Sequence, residues 1–123
     1  MLATFDIVAF VATTDPAAAR AFYEGKLGLK LLSDDPFALA FDAHGTMLRV
    51  TKVSEVTIAP YTTLGWAVPD IRTAVSDLVA RGVEFQRYEG MTQDAVGIWD
   101  APGGGSLAWF KDPAGHTLSL TQH

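Results

Sequence analysis

Short runs of the chain alternate apolar residues with polar or small ones, and a segment with a longer period follows each of two such runs. FDIVAFV (residues 5–11) and TTLGWAV (62–68) show the two-residue alternation that is typical of strands. The segments after them carry apolar residues every three to four positions, as the buried stripe of a helix does. The pattern therefore predicts two strand–helix units.

Both predicted helices have recognisable ends. Asp15 can cap the first free amides, while Pro16 takes the first helical position, where its missing N–H costs nothing. This helix runs to Gly28, and a second one begins at Asp70 and ends at Gly82, since glycine commonly follows the last helical residue. The residues predicted to form the buried stripe of the second helix are Ile71, Ala74, Val75, Leu78 and Val79.

The remainder of each unit repeats a second pattern. After the predicted strands GLKLL and GVEF, each unit contains a predicted hairpin. In the first unit the hairpin joins FALAF (37–41) to GTMLRV (45–50), and in the second it joins SLAWF (106–110) to GHTLSL (115–120). FDAHGTMLRV and FKDPAGHTLSL are thus copies of one piece.

These elements predict an α+β fold class with two βαβββ modules, about residues 1–55 and 60–123, in a single domain. Each helix covers one face of its sheet, and two curved mixed sheets would enclose a central cleft, where small-molecule sites tend to form. The second module carries about 15 more residues than the first, around YEGMTQDAVGIWDAPGG. This segment, with Glu89 and Asp94, is predicted to be either a flap over the cleft or an inert surface loop.

Composition narrows the classes of function. A net charge of −5 disfavours nucleic acid and anionic membranes as partners, because both attract basic patches. The absence of cysteine excludes disulfides, thiolate catalysis and cysteine metal sites. No apolar run has the length of a transmembrane helix and the N-terminus lacks a basic leader, so a cytoplasmic protein is expected.

Three segments together resemble the vicinal oxygen chelate superfamily, which includes glyoxalase I, bleomycin-resistance proteins and extradiol dioxygenases. They are DPAAARAFYEGKLGLKL, the repeat AVPDIRTAVSDLVARGV, and the terminal FKDPAGHTLSL. The helix with FYEGKLGL and the F-x-DP-x-G signature are specific for this fold and not for an activity. The resemblance implies two βαβββ modules whose sheets curve around a cleft, commonly in a homodimer.

In metal-dependent members the ligands are His, Gln or Glu at four strand positions that face the cleft, two from each module. The resemblance carries these positions onto Asp6, Arg49, Thr63 and Ser119. Of these side chains only Asp6 suits a divalent ion, and Arg49 would add a permanent positive charge. Catalytic metal sites use about three protein ligands. The resemblance therefore implies a cleft without the family metal site, and no cofactor is expected.

The charged pair at these positions has two interpretations. Asp6 and Arg49 could form a salt bridge that orients a polar ligand in the cleft, because the Arg fork suits carboxylates. Alternatively, they form a structural ion pair at a strand end or on an exposed face.

The third strand position lies in a row of small side chains. Thr63, Gly65 and Ala67 share one face of their predicted strand and leave room for a ligand, or else bulky neighbours cover this face. A glycine inside a strand often marks the close approach of another group.

Aromatic residues are abundant for so small a chain, and aromatic rings stack well on planar ligands. They include Trp66 and Trp109, which are predicted to lie in the core because they sit within apolar strands. Trp99 precedes the DAPGGG turn and is predicted to line the cleft. His44 and His116, in equivalent turns, are predicted to lie at the surface.

The predicted function is the binding of a small organic ligand without a metal, similar to sequestration by bleomycin-resistance proteins. Aromatic residues and a negative net charge favour a planar or cationic ligand. A glyoxalase-like lyase, isomerase or dioxygenase-type enzyme and an accessory domain that acts through protein contacts are the alternatives. The candidate ligand-binding residues are Asp6, Arg49, Thr63, Gly65, Trp99 and Ser119.

Overall fold

Each half of the chain folds in the order βαβββ. The computed structural model describes residues 1–123 and divides them into two units, Met1–Ile58 and Ala59–His123. Each unit has one four-stranded mixed sheet and one main helix, so the predicted α+β fold class is confirmed. No helix in either unit is long and apolar enough to cross a membrane.

The first unit has a sheet of strand order β1-β4-β3-β2, in which β1 runs parallel to β4 and the other neighbours are antiparallel. A short 3-10 helix, Leu2–Thr4, precedes β1, and the helix α1 continues as a π-helix over Ala21–Lys26. The elements are β1 (Val8–Thr13), α1 (Pro16–Arg20), β2 (Lys30–Asp34), β3 (Ala38–Ala43) and β4 (Thr46–Lys52).

The first strand starts later than FDIVAFV predicts. Its first pair joins Val8 to Met47, the second residue of β4, and the turn at His44 and Gly45 lies directly before that strand. Because β1 is parallel to β4, residues 5–7 run past the start of their only neighbouring strand. They have no ladder to join, and the prediction that Phe5 begins a strand is wrong.

The second unit repeats the topology with the strand order β5-β8-β7-β6, and β5 is parallel to β8. Its elements are β5 (Thr62–Ala67), α2 (Ile71–Ala80), β6 (Trp99–Asp100), β7 (Ser106–Lys111) and β8 (Thr117–Gln122).

The edge strand of the second sheet is interrupted. Phe85 makes an isolated bridge to Phe110, and the Gln86 N–H donates to the Trp109 carbonyl at 2.7 Å. The chain then leaves the edge and returns only at Trp99. GVEF is therefore not a continuous strand, because residues 87–98 are inserted within the edge.

Both helix starts are confirmed. Asp15 Oδ1 accepts a hydrogen bond from the Ala18 N–H at 3.1 Å, with Pro16 in the first turn. Asp70 accepts from the Thr73 N–H at 3.2 Å and from the Thr73 hydroxyl at 2.9 Å. The bond from the Thr73 N–H is the main cause that lowers the pKa of Asp70.

Each unit buries one face of its sheet against its helical segment. In the first unit Tyr23 of the π-helix contacts Phe41 of β3, with ring centroids 5.8 Å apart, and Phe41 pairs with the buried Leu48. In the second unit Phe110 of β7 pairs with the buried Leu118 and stacks on Trp66 at 6.3 Å. The opposite face of each sheet is called here its open face.

Candidate functional site

Arg49 lies on the open face of the first sheet, in the middle of its width. Its neighbours Leu48 and Val50 are each 1% exposed, so alternation along β4 turns Arg49 to the other side. The residues beside it across the ladder are Phe10 of β1 and Ala40 of β3. Arg49 is half-buried on this face.

Asp6 is an exposed residue two positions before β1. The equivalent helix starts, Asp15 and Asp70, lie 55 positions apart. On this spacing the counterpart of Asp6 in the second unit is Tyr61, and the counterpart of Thr63 in the first unit is Val8. Asp6 and Arg49 form no salt bridge, so the predicted pair is absent. A role for Asp6 in ligand binding stays a prediction.

Ser119 takes the place in the second sheet that Arg49 takes in the first. It lies on the central strand β8, between Gly65 of β5 and Trp109 of β7. The residue is only 6% exposed, and its hydroxyl makes no hydrogen bond to another protein group. Ser119 therefore looks out from the open face of the second sheet, as Arg49 does from the first.

Gly65 is present because Ser119 approaches it closely. A Cβ atom at Gly65 would lie 2.5 Å from Ser119 Oγ and 3.3 Å from the Ser119 carbonyl oxygen. The close approach predicted from a glycine within a strand thus has an identified partner. The Ser119 hydroxyl takes the place that a side chain at position 65 would need, although Gly65 itself is exposed.

Thr63 is exposed and lies at a register shift of β5, where Thr62 pairs with Thr117 and Leu64 with Leu118. Its hydroxyl donates to the Thr117 carbonyl at 3.4 Å, a long contact at an exposed position. This bond links β5 to β8 and leaves the oxygen of Thr63 able to accept a further bond. Ala67, two positions after Gly65, is also exposed.

Three aromatic side chains form a cluster on the open face of the second sheet. Trp109 meets Trp99 with ring centroids 6.1 Å apart, and Tyr88 meets Trp109 edge-on at 5.6 Å. Trp99 and Trp109 are half-buried and Tyr88 is 37% exposed. These three residues, called here the aromatic cluster, combine a broad apolar surface with access from solvent.

The apolar strands predict that Trp109 and Trp66 both lie in the core, but the structure places them on opposite faces of the second sheet. Trp66 stacks on Phe110 on the helix side, whereas Trp109 pairs with Ser119 on the open face. The pairs across this hairpin, such as Lys111 with Thr117, place Trp109 opposite Ser119, so the register of the hairpin distinguishes the two faces. Tyr88 carried no such signal, because it lies in the inserted segment.

The inserted segment, residues 87–98, is held by hydrogen bonds within it and by one from Arg72 of α2. Asp94 Oδ1 accepts from the N–H groups of Val96 at 3.0 Å and Ile98 at 2.9 Å, and Oδ2 accepts from Arg72 Nη2 at 2.7 Å. Burial raises the pKa of the Asp94 carboxyl, but these bonds outweigh it, so the pKa lies below its ordinary value.

Two further residues complete the fixation of this segment. Gln93 Nε2 donates to the carbonyls of Gln86 and Gly97, each at 2.9 Å, and the Tyr88 N–H donates to Gln93 Oε1 at 2.8 Å. The guanidinium of Arg87 donates to the carbonyls of Asp94 and Ala95. The segment that holds Tyr88 is thus ordered by internal contacts.

The two turn histidines differ in exposure. His44 is exposed, as predicted, and has a positive φ of 52°. His116 is 6% exposed and its N–H donates to Asp112 Oδ1 at 2.9 Å, so its predicted surface position is wrong.

The residues at the family ligand positions do not fit the family metal. Arg49 repels a cation, Thr63 and Ser119 offer neutral hydroxyls, and Asp6 lies outside its strand. No group of three His, Cys, Asp or Glu side chains comes together in a way that could hold a metal ion. We therefore derive no chemical step through a metal.

Solved structures share this fold. A glyoxalase family protein from Enterococcus faecalis is 19% identical, with a TM-score of 0.76 over 98% of this chain and 99% of that one. A glyoxalase/bleomycin resistance protein/dioxygenase from Nocardioides is 24% identical, with a TM-score of 0.70 over 97% and 84%. Lactoylglutathione lyase from Agrobacterium tumefaciens is 17% identical, with a TM-score of 0.70 over 97% and 93%. Identities this low show the fold alone.

A search of curated proteins found no match. The sequence model of the Glyoxalase/Bleomycin resistance protein/Dioxygenase superfamily matches residues 4–120, nearly the whole chain. Its match agrees with the two βαβββ units and with the shared fold of the solved structures. This chain therefore belongs to the Glyoxalase/Bleomycin resistance protein/Dioxygenase superfamily.

Proposed function

We propose that this protein binds a small planar organic molecule on the open face of its second sheet, without a metal, in the manner of the bleomycin-resistance branch of its superfamily. The observation that carries the proposal is the aromatic cluster of Tyr88, Trp99 and Trp109. Its rings lie at angles to one another, which presents both edges and a face to a flat ligand.

The hydrogen bonds that hold Tyr88 and the inserted segment in place support this proposal. Tyr88 is held by the bond from its N–H to Gln93, and the insert that carries it is closed by Asp94 and Arg87. A cluster that is ordered before the ligand arrives loses less side-chain entropy on binding. Ser119, beside Trp109, adds one hydroxyl without a protein partner, which suits a single polar atom of the ligand.

The charged residues near the aromatic cluster change the charge that is expected of the ligand. The net charge of −5 favours a cation at long range, but Lys111 follows Trp109 by two positions and is exposed on the same face. No carboxylate adjoins the cluster in the pairs that join β7 to β8. We therefore propose a planar ligand whose binding depends on its ring and does not require a positive charge.

The test is calorimetric titration with three naphthalene derivatives that share one ring: 2-naphthamide, 2-naphthoate and a naphthylmethyl trimethylammonium salt. We expect saturable binding of the neutral amide, with a loss of at least about tenfold in affinity in Tyr88→Ala, since base-like stacking on an aromatic ring contributes about 1–3 kcal/mol. Ser119→Ala should weaken the amide by a smaller factor, because one neutral hydrogen bond contributes about 1 kcal/mol.

Two variants serve as controls. Tyr61→Ala removes a tyrosine that is 67% exposed and outside the cluster, and Trp66→Phe alters a ring on the helix side of the same sheet. Both should keep the affinity of the unmodified protein. Equal losses in Tyr61→Ala and Tyr88→Ala, or no binding of any of the three probes, would contradict the proposal.

A further inference from the structure

Arg49 is a charged side chain in the middle of the open face of the first sheet. It has no ion-pair partner. It lies on the central part of the first sheet, half-buried, and the three salt bridges of the structure join other residues. A guanidinium in partly apolar surroundings is costly to hold without a counter-charge. The position is therefore suited to an anion that comes from outside the chain.

The two carboxylates closest to Arg49 along the fold are engaged elsewhere. Asp35 Oδ1 accepts from the N–H groups of Phe37 at 2.8 Å and Ala38 at 2.9 Å, and these bonds are the main causes that lower its pKa. The positive charge of Arg49 is a smaller cause. Asp42, diagonal to Arg49 on the same open face, accepts from the Gly45 N–H at 2.9 Å. Each closes a local turn, and neither forms a salt bridge with Arg49.

Apolar residues neighbour Arg49 on the open face of the first sheet. Phe10, which pairs with Arg49 from β1, is 62% exposed, and Met47, two positions earlier on β4, is 38% exposed. Val8 pairs with Met47 and is 41% exposed. On the other side Ala40 offers only a methyl group, so nothing bulky from β3 fills the space beside Arg49. The surroundings suit a ligand with an apolar body and one anionic end.

We propose that the open face of the first sheet binds the carboxylate of an organic acid with an apolar body, through the guanidinium of Arg49. The planar fork of Arg donates two parallel hydrogen bonds to a carboxylate, a geometry that an ammonium group does not reproduce.

This inference concerns the first unit and a different chemical group from the function proposed above. Binding at Arg49 is followed separately, through the backbone amide resonances of Phe10 and Ala40.

The test is an NMR titration with 4-phenylbutyrate and with 4-phenylbutanamide, which has the same skeleton without the charge. We expect the acid to shift the Phe10 and Ala40 resonances saturably and Arg49→Met to weaken it by about 10-fold to 100-fold, the range for a charge-assisted hydrogen bond. Arg49→Lys should retain part of the affinity, since it keeps the charge and loses the fork.

Lys52→Met is the matched control. It removes one positive charge from the same strand, but Lys52 lies on the other side of β4 and is paired with Asp34 at 2.6 Å. It should change the affinity for the acid by less than about threefold, the effect of a distant screened charge. The proposal is overturned if acid and amide bind equally, if Arg49→Met binds the acid as before, or if the acid does not bind up to about 10 mM.

Discussion

At the scale of single residues, the contact between Gly65 and Ser119 is the tightest packing constraint on either open face. A methyl group at Gly65 would meet Ser119 Oγ at 2.5 Å, a distance that real Cβ atoms do not show. The hydroxyl could rotate away, but the Ser119 carbonyl oxygen, at 3.3 Å, belongs to the ladder of β8 and cannot. A side chain at position 65 therefore requires both the Ser119 hydroxyl and the strand β8 to shift.

Gly65→Ala is expected to destabilise the protein by about 1–3 kcal/mol, as overpacking in a well-packed site does. The double variant Gly65→Ala, Ser119→Ala should recover part of this loss, because it removes the hydroxyl and leaves only the carbonyl contact. Urea denaturation of the three proteins gives both values.

Gly25→Ala is the control for this pair, because a Cβ atom there meets nothing within 4 Å. It should be neutral or stabilising by up to about 1 kcal/mol, since Gly25 is helical. A Gly65→Ala variant as stable as Gly25→Ala would show that the sheet yields without cost.

Asp94 is the second residue whose substitution is expected to have a specific effect on stability. Its folded-state pKa is lowered, so its contribution to the free energy of unfolding is present above the pKa of the unfolded chain, near 3.9, and is lost as pH falls through the folded pKa. Asp94→Asn should cost about 1–2 kcal/mol at pH 7, and the difference should vanish in strong acid.

Asp77→Asn tests whether this effect is specific. Asp77 is an exposed carboxylate on α2 that forms no salt bridge, so its loss should change stability little at any pH. Unfolding curves at a series of pH values from 2 to 7 compare the two variants. A constant difference between the parent and Asp94→Asn over that range would refute the assigned cause.

At the scale of elements, the N-terminus of α2 depends on one side chain. Asp70 accepts from both the N–H and the hydroxyl of Thr73, and the hydroxyl bond is additional to an ordinary cap. Asp70→Ala should lower the urea midpoint, and Asp70→Asn should lower it less, because Asn also caps helices well. Equal midpoints for Asp70→Ala and the parent would contradict this account of the helix start.

The elements show what local patterns can and cannot predict. The helix starts at Asp15 and Asp70 follow from a cap that acts within three residues, and they were predicted correctly. The start of β1 depends on where β4 begins, almost 40 residues away along the chain, and no local alternation reports that distance. The same holds for GVEF, whose continuation is set by the insert and not by its own residues.

The site residues also show the difference between what local residues determine and what pairing between strands determines. The superfamily resemblance carries two of the ligand positions onto Arg49 and Ser119, and the buried residues on either side of each agree with their positions on the open faces. Trp109 was misassigned because an apolar neighbourhood does not distinguish the two faces of a strand. Its register against Ser119 does so, and register is a property of the hairpin.

At the scale of the whole molecule, the absence of a fitting donor set leads to a prediction about metal content. We expect protein purified without chelators to contain no stoichiometric transition metal, and zinc, nickel, manganese or ferrous iron to leave the Tm unchanged, because a ligand that binds only the folded state would raise it. Stoichiometric metal, or a metal-specific rise in Tm that Asp6→Ala abolishes, would favour the glyoxalase-like or dioxygenase-type alternative.

The superfamily resemblance also predicts a homodimer. Light scattering after size-exclusion chromatography should give twice the chain mass of 13.2 kDa at micromolar concentration. A mass of one chain at every concentration up to that used for the ligand titrations would refute the dimer. The ligand experiments stand in either case, because each concerns the open face of one unit.

The interrupted edge of the second sheet affects the tendency of this protein to aggregate at high concentration. An exposed edge strand is a template on which another chain can add, and fibril growth starts from such templates. Here β6 consists of Trp99 and Asp100 alone, and residues 87–98 form hydrogen bonds within the insert and with Gln86 and Arg72. We expect this edge to pair poorly with a second chain, because the insert shortens the strand that would act as the template.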